Sequence, residues 1–179
     1  MTGGAAKALL PARSELILGG QKSGKSRRAE ALAAAWLAQS PTHRAVLIAT
    51  AQAHDEEMRQ RIARHQRERA ERVPGLATLE LPHDLPRAIA QAGGAETLRV
   101  IDCLTLWLTA QRMPMPSDVM PKVPSAPVGK APRAMLVEAI EACPGPIVLV
   151  GNEIGLGVIP LGREVRAFVD ALGALNQAV

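Results

Sequence analysis

Glu15-Leu16-Ile17-Leu18-Gly19-Gly20-Gln21-Lys22-Ser23-Gly24-Lys25-Ser26-Arg27 decides the fold. A short apolar run ends in two glycines, and an alanine-rich stretch of good helix formers starts at Lys25 and extends to Ala38. Gly19 to Ser26 fits the pattern G-x-x-x-x-G-K-[ST], in the strand-to-helix setting that pattern needs. Glycines let backbone N–H groups wrap phosphates, and the N-terminus of the following helix adds positive potential. In that geometry Lys25 reaches the β- and γ-phosphate oxygens and Ser26 ligates Mg²⁺. Gly19, Gly20, Gln21, Lys22, Ser23, Gly24, Lys25 and Ser26 are therefore the expected phosphate-binding residues.

Working outward, Ala45 to Ala49, Leu98 to Ile101 and Ile147 to Val150 are further aliphatic runs bounded by turn residues, as buried parallel strands are. Ala77 to Leu81 reads as a short edge strand. Between them, Asp55 to Arg72, Leu85 to Gln91, Arg133 to Ala142 and Gly162 to Ala178 read as helices. Strand and helix alternate, which predicts an α/β fold with a mainly parallel sheet flanked by helices. Residues 1–14, with Gly3, Gly4 and Pro11, are expected to be a flexible leader, and residues 15–179 a single domain. Residues 113–132 carry six prolines (Pro114, Pro116, Pro121, Pro124, Pro127, Pro132) and are expected to form a loop.

Composition narrows the function classes. A length of 179 residues is enough to bury a core, and with 2% aromatics that core must be aliphatic. The net charge of +4 and pI near 9.6 suit anionic ligands. The arginines are spread over helices without aromatic platforms, so nucleic acid is not the expected partner. Cys103 and Cys143 have neither metal-ligand nor redox-pair spacing, and no apolar run reaches the roughly 18 residues that span a bilayer. A cytoplasmic location and no membrane span are expected.

Leu98 to Asp102 is an aliphatic strand ending in a carboxylate, the arrangement that holds Mg²⁺ opposite a phosphate loop, so Asp102 joins Ser26 as a candidate metal ligand. Its alternative role is to cap the next helix. In the helix Asp55 to Arg72, Met58, Ile62, His65 and Arg69 share one face, and Arg61 and Arg69 flank His65 at i−4 and i+4. A phosphate docked on those guanidinium groups lies within reach of the imidazole. His65 can then be a nucleophile that splits nucleotidyl transfer into two displacements, or simply part of a solvated charged face. Asn152 and Glu153 follow the strand Ile147 to Val150, where open α/β sheets bind ligands, and are candidate substrate residues or mere caps.

Five segments in order carry a family resemblance: Gly19 to Arg27, Ile48-Ala49-Thr50-Ala51, Asp55-Glu56-Glu57-Met58 through Arg61-Ile62 to His65, Asp102 to Leu108, and Asn152-Glu153-Ile154-Gly155-Leu156-Gly157-Val158-Ile159-Pro160. Arg166, Asp170, Gly173 and Asn176-Gln177 follow. With these the chain resembles the bifunctional adenosylcobinamide kinase/adenosylcobinamide-phosphate guanylyltransferases of cobalamin assembly. The resemblance implies a RecA-like P-loop NTPase fold, phosphorylation of adenosylcobinamide by ATP or GTP, and then GMP transfer from GTP to adenosylcobinamide phosphate. It implies that His65 carries GMP, that Thr50, Ala51 and Arg69 contact nucleotide, and that Glu80 binds guanine. A carboxylate can accept from guanine N1–H and N2–H₂ together. Mg²⁺ as cofactor follows from the phosphate loop and Asp102, and a homo-oligomer, expected to be a trimer, follows from the resemblance.

The chain departs from the family pattern at Gly151, where a small hydroxyl residue is more usual. It also stops at Val179, where members usually continue into another strand, so a C-terminal strand is expected to be missing. The competing readings are a monofunctional small-metabolite P-loop kinase, which leaves His65 without a role, and a non-catalytic RecA-like module acting on nucleic acid or protein.

Overall fold

A computed structural model of the chain describes residues 10–53, 55–80, 84–112 and 131–179. Its elements in order are β1 (Ser14–Gly19), α1 (Lys25–Leu37), β2 (Arg44–Ala49), α2 (Glu56–Arg72), β3 (Leu76–Glu80), α3 (Leu85–Gln91), β4 (Thr97–Asp102), α4 (Leu104–Arg112), α5 (Pro132–Glu141), β5 (Ile147–Asn152) and α6 (Arg163–Ala178). The strands form one sheet in the order β1-β5-β4-β2-β3, and every pairing is parallel. The α/β fold with a parallel sheet is as the sequence predicts. β5 lies between the phosphate-loop strand β1 and the Asp102 strand β4, the RecA-like arrangement.

The burial of each strand follows its place. β4 and β5 lie inside the sheet and are buried along nearly their whole length, while β3 at one edge is half exposed. One face carries α1 over Ile17, Leu47, Leu98, Val100, Val148 and Val150. The other holds a larger cluster in which Leu85, Trp107, Leu136, Leu172 and Leu175, from α3 to α6, pack on Ile48, Ile101 and Leu149. Aliphatic side chains fill both, with Trp107 as the one large aromatic filler, 1% exposed.

Arg99 lies within this aliphatic interior, fully buried in β4. Its guanidinium donates to the carbonyls of Ile89 (2.9 Å) and Thr97 (2.9 Å), and also to that of Gly93. The Ile89 and Gly93 carbonyls belong to the end of α3 and the turn after it, where a helix presents unpaired acceptors and negative potential. A buried cation is tolerated here because backbone carbonyls satisfy it.

Several element boundaries shift by one or two residues from the sequence reading, and three differences change the picture of the chain. β1 begins at Ser14, and the Arg13 carbonyl accepts a hydrogen bond from Ile147 N–H (2.9 Å), so ordered structure reaches into the expected leader. Pro132, expected in the proline-rich loop, starts α5, because a proline at the first helical position loses no hydrogen bond. Leu104–Arg112 forms the helix that follows Asp102, for which the sequence reading gives no range. Residues 1–9 and 113–130, together with Leu81, lie outside the described residues.

Candidate functional site

Because all five strands run the same way, their carboxyl ends gather at one edge. The register aligns Gly19 with Asn152, and Ala49 with both Asp102 and Glu80. The sequence-predicted residues on four elements are thereby brought to one side of the sheet.

The phosphate loop closes through Ser23 N–H, which donates to Gly20 O at 3.3 Å. Gly24 holds φ 88°, a left-handed conformation that glycine adopts without a Cβ penalty. That residue is the N-cap of α1, and no side chain caps the helix, so none of the chain's own side chains competes for its first amides. Lys25 Nζ lies in the loop, donating to Gly20 O at 2.6 Å. Gly19 sits under Ser23, whose Oγ would lie 2.8 Å from any Cβ at position 19.

Ser26 and Asp102, the two expected metal ligands, lie near each other, and the Ser26 hydroxyl favours the charged form of the Asp102 carboxylate. Burial pushes the Asp102 carboxyl up from its ordinary range, while the Ser26 hydroxyl and the charges of Arg69 and His65 pull it back. His65 itself is exposed on α2, yet its charge acts on Asp102. No cluster of three or more His, Cys, Asp or Glu side chains that would hold a metal alone occurs among the described residues. A hydroxyl beside a carboxylate instead suits a small hard cation that keeps water and substrate phosphates as its other ligands.

Thr50, expected to contact nucleotide, has its side chain inside the fold. It is 1% exposed, and its hydroxyl donates to Cys103 O (2.7 Å) and accepts from Cys103 N–H (2.9 Å). Both bonds fix the backbone that follows Asp102, so the side chain orients the carboxylate. Ala51 continues this segment and is half-buried. Glu80 is exposed at the end of β3 and accepts from Gln66 Nε2 at 2.6 Å, which ties it to the residue beside His65. Asn152 N–H donates to the Thr105 hydroxyl of α4 at 2.8 Å, and Glu153 N–H donates to Gly19 O at 3.1 Å, so both candidate substrate residues abut the phosphate loop.

Arg69 does not stand free beside His65. It is 8% exposed, pairs with Glu30 at 3.5 Å and donates to Thr78 Oγ1 at 3.3 Å. Its Nε is within ion-pair distance of Glu30 but makes no hydrogen bond, so the contact is electrostatic. Arg72 donates to the other Glu30 oxygen at 2.9 Å. Glu30, on α1 and only 4% exposed, is not among the site residues expected from the sequence. Its carboxylate joins the helix that starts at the phosphate loop to the helix that carries His65. Arg69 is the one buried residue of α2, so this polar anchor replaces the apolar packing that fixes most helices.

Glu30→Gln leaves the buried Arg69 guanidinium with a neutral partner and removes one of the two carboxylates that Arg72 pairs with. The expected result is a loss of about 3 kcal/mol in stability, read by chemical denaturation. Wild-type stability in the variant would contradict the anchoring role.

The comparisons agree with this geometry. Residues 15–179 match the family described as cobinamide kinase / cobinamide phosphate guanyltransferase. The chain is 45% identical over 166 residues to the bifunctional adenosylcobalamin biosynthesis protein CobP of Pseudomonas aeruginosa, covering 92% of this chain and 86% of that protein. It is 32% identical to the bifunctional adenosylcobalamin biosynthesis protein CobU of Escherichia coli, covering 90% of this chain and 87% of that protein. The CobU protein of Salmonella typhimurium is also 32% identical, over 168 residues, covering 90% of this chain and 87% of that protein. A phosphate loop, an Asp102 carboxylate at the end of β4 and a sequence match running from Glu15 to the last residue make this chain a member of the cobinamide kinase / cobinamide phosphate guanyltransferase family.

Proposed function

We propose that this chain carries out both reactions of its family at one phosphate loop, in the cytoplasm, and that the second reaction passes through GMP bound covalently to His65. The observation that carries the reading is that the loop, Asp102 and Glu80 gather at the carboxyl ends of the strands, with Glu80 bonded to Gln66 beside His65.

In the first reaction the hydroxyl of adenosylcobinamide attacks the γ-phosphorus of ATP or GTP. A new phosphorus–oxygen bond forms, the bond to the β-phosphate oxygen breaks, and a nucleoside diphosphate and a proton leave. Lys25 and the loop amides hold the phosphates in line and offset the charge of the transferring group. Asn152 and Glu153 face the acceptor side. Ser26 and Asp102 would hold Mg²⁺, which supplies further charge neutralisation at the bridging oxygens.

In the second reaction an imidazole nitrogen of His65 attacks the α-phosphorus of GTP, forming a nitrogen–phosphorus bond as pyrophosphate departs. A phosphate oxygen of adenosylcobinamide phosphate then attacks the same phosphorus, the bond to nitrogen breaks, and adenosylcobinamide-GDP is released. Glu80 is the guanine-binding carboxylate, held by Gln66 one residue from the nucleophile. Thr50 and Ala51 shape the floor of the nucleotide site, and the buried Arg69 adds positive potential near Asp102. Assembly as a homo-trimer belongs to the same reading and is checked by light scattering.

The test is incubation with Mg²⁺ and GTP labelled at either the α- or the γ-phosphate, followed by denaturation. Acid-labile, base-stable label from the α position only is the expected result, because a phosphoramidate has that stability. Absence of protein-bound label, with GTP binding intact, would leave the simple kinase as the better reading.

A further inference from the structure

The segment between β5 and α6 combines two properties that rarely occur together. It is fixed at both ends: Gly155 N–H donates to Glu153 Oε1 at 2.6 Å, and Arg166 of α6 donates to Pro160 O at 2.9 Å. Yet the apolar side chains it carries face outward, with Leu156 90%, Val158 96%, Ile159 75% and Leu161 97% exposed. A contiguous exposed apolar patch marks a binding surface, and here its backbone is held in place.

Beside this segment lies a cleft of about 420 Å³ between Glu153, Gly155 and the face of α6 that bears Val169, Asp170, Gly173 and Gln177. Its volume is within the range of small-molecule sites. It opens next to the phosphate loop, since Glu153 N–H donates to Gly19 O at 3.1 Å. In the sheet order β1-β5-β4-β2-β3, Glu153 follows β5 and Glu80 ends β3, on opposite sides of the Asp102 strand. With guanine at Glu80, the acceptor must approach from the β5 side.

Resting on the proposed function, we infer that this cleft and the apolar segment 154–161 seat the corrin body of adenosylcobinamide. A corrin is a broad macrocycle with apolar faces and a fringe of primary amides. The exposed aliphatic side chains cover a face. Amide N–H groups donate to the carboxylates of Glu153 and Asp170, and amide carbonyls accept from the Gln177 side chain. Glu153 keeps acceptor capacity for this, because its bond to Gly155 engages one of several lone-pair sites. The arrangement directs the substrate hydroxyl toward the phosphate loop while the nucleotide occupies the other end of the same edge.

Two variants test the assignment by independent routes. Gly173 lies on α6, and a Cβ added there would meet nothing within 4 Å, so Gly173→Leu fills the cleft without disturbing the helix. The double variant Leu156→Ser, Val158→Ser removes apolar cover from exposed positions. Equilibrium dialysis with adenosylcobinamide, followed by its visible absorbance, measures binding without any chemistry. Labelling by α-labelled GTP reports the nucleotide half, and light scattering gives the mass in solution. Both variants are expected to bind adenosylcobinamide at least about tenfold more weakly, with unchanged GTP labelling and unchanged mass. Wild-type affinity for the corrinoid in both variants would overturn the inference. A lowered mass with corrinoid affinity retained would overturn it too, marking the patch as an interface between copies of the chain. Failure of the unsubstituted protein to bind adenosylcobinamide would overturn the inference and the corrinoid function together.

Discussion

His65→Ala is expected to lower guanylyl transfer by on the order of 10⁴-fold or more, since on the proposed path the variant lacks the atom that carries the nucleotide. The kinase reaction is expected to persist at close to the wild-type rate. This split follows from the placement of His65: it is exposed on α2, its backbone is part of a helix whose one buried residue is Arg69, and alanine is a better helix former. Loss of the side chain therefore removes chemistry without removing the anchor to Glu30. The measurement is a pair of assays on one preparation, phosphorylation of adenosylcobinamide and formation of adenosylcobinamide-GDP. A parallel loss of both activities would mean that His65 serves the shared phosphate site and is not a nucleophile.

Lys25→Ala should have the opposite pattern, with both reactions reduced by about 10²- to 10³-fold. The ammonium lies within the loop, 2.6 Å from Gly20 O, where it can follow the phosphates in either reaction. Its loss removes a positioned charge from the γ-transfer and from the departing pyrophosphate alike. The half-buried side chain makes few demands on the fold, so thermal unfolding should change little. A kcat loss confined to the kinase step would show that the two reactions bind triphosphate in different places.

The contrast between these variants reflects what can be read from the sequence. The phosphate loop is legible because its required residues are contiguous and its strand and helix flank it directly. Asp102 is legible because an aliphatic run ending in a carboxylate has few other uses beside such a loop, and the structure places it at the end of β4, paired with Ala49 of β2. Glu30 is not legible: its partner Arg72 is 42 residues away, and within α1 it looks like any surface glutamate of an alanine-rich helix. The same separation hides the burial of Arg69, whose spacing from His65 suggests a surface contact. Thr50 belongs to a recognisable segment, but only the pairing of β2 with β4 reveals that its hydroxyl is taken up by Cys103.

Helix α4 does carry a signal in the sequence. Leu104, Trp107 and Leu108 are buried at i, i+3 and i+4, a helical spacing in a nine-residue element set between a strand and a proline-rich stretch. Arg99 shows the converse limit. A strand pattern allows an arginine at an edge, whereas the fold buries it at the end of α3, because only tertiary structure brings those carbonyls together.

The most direct test of the covalent path isolates protein labelled from α-labelled GTP, removes all free nucleotide, and adds adenosylcobinamide phosphate. The expected result is that the label leaves the protein and appears in adenosylcobinamide-GDP, in step with the labelled histidine lost. Label that remains on the protein, while free GTP still supports product formation, would contradict a path through His65.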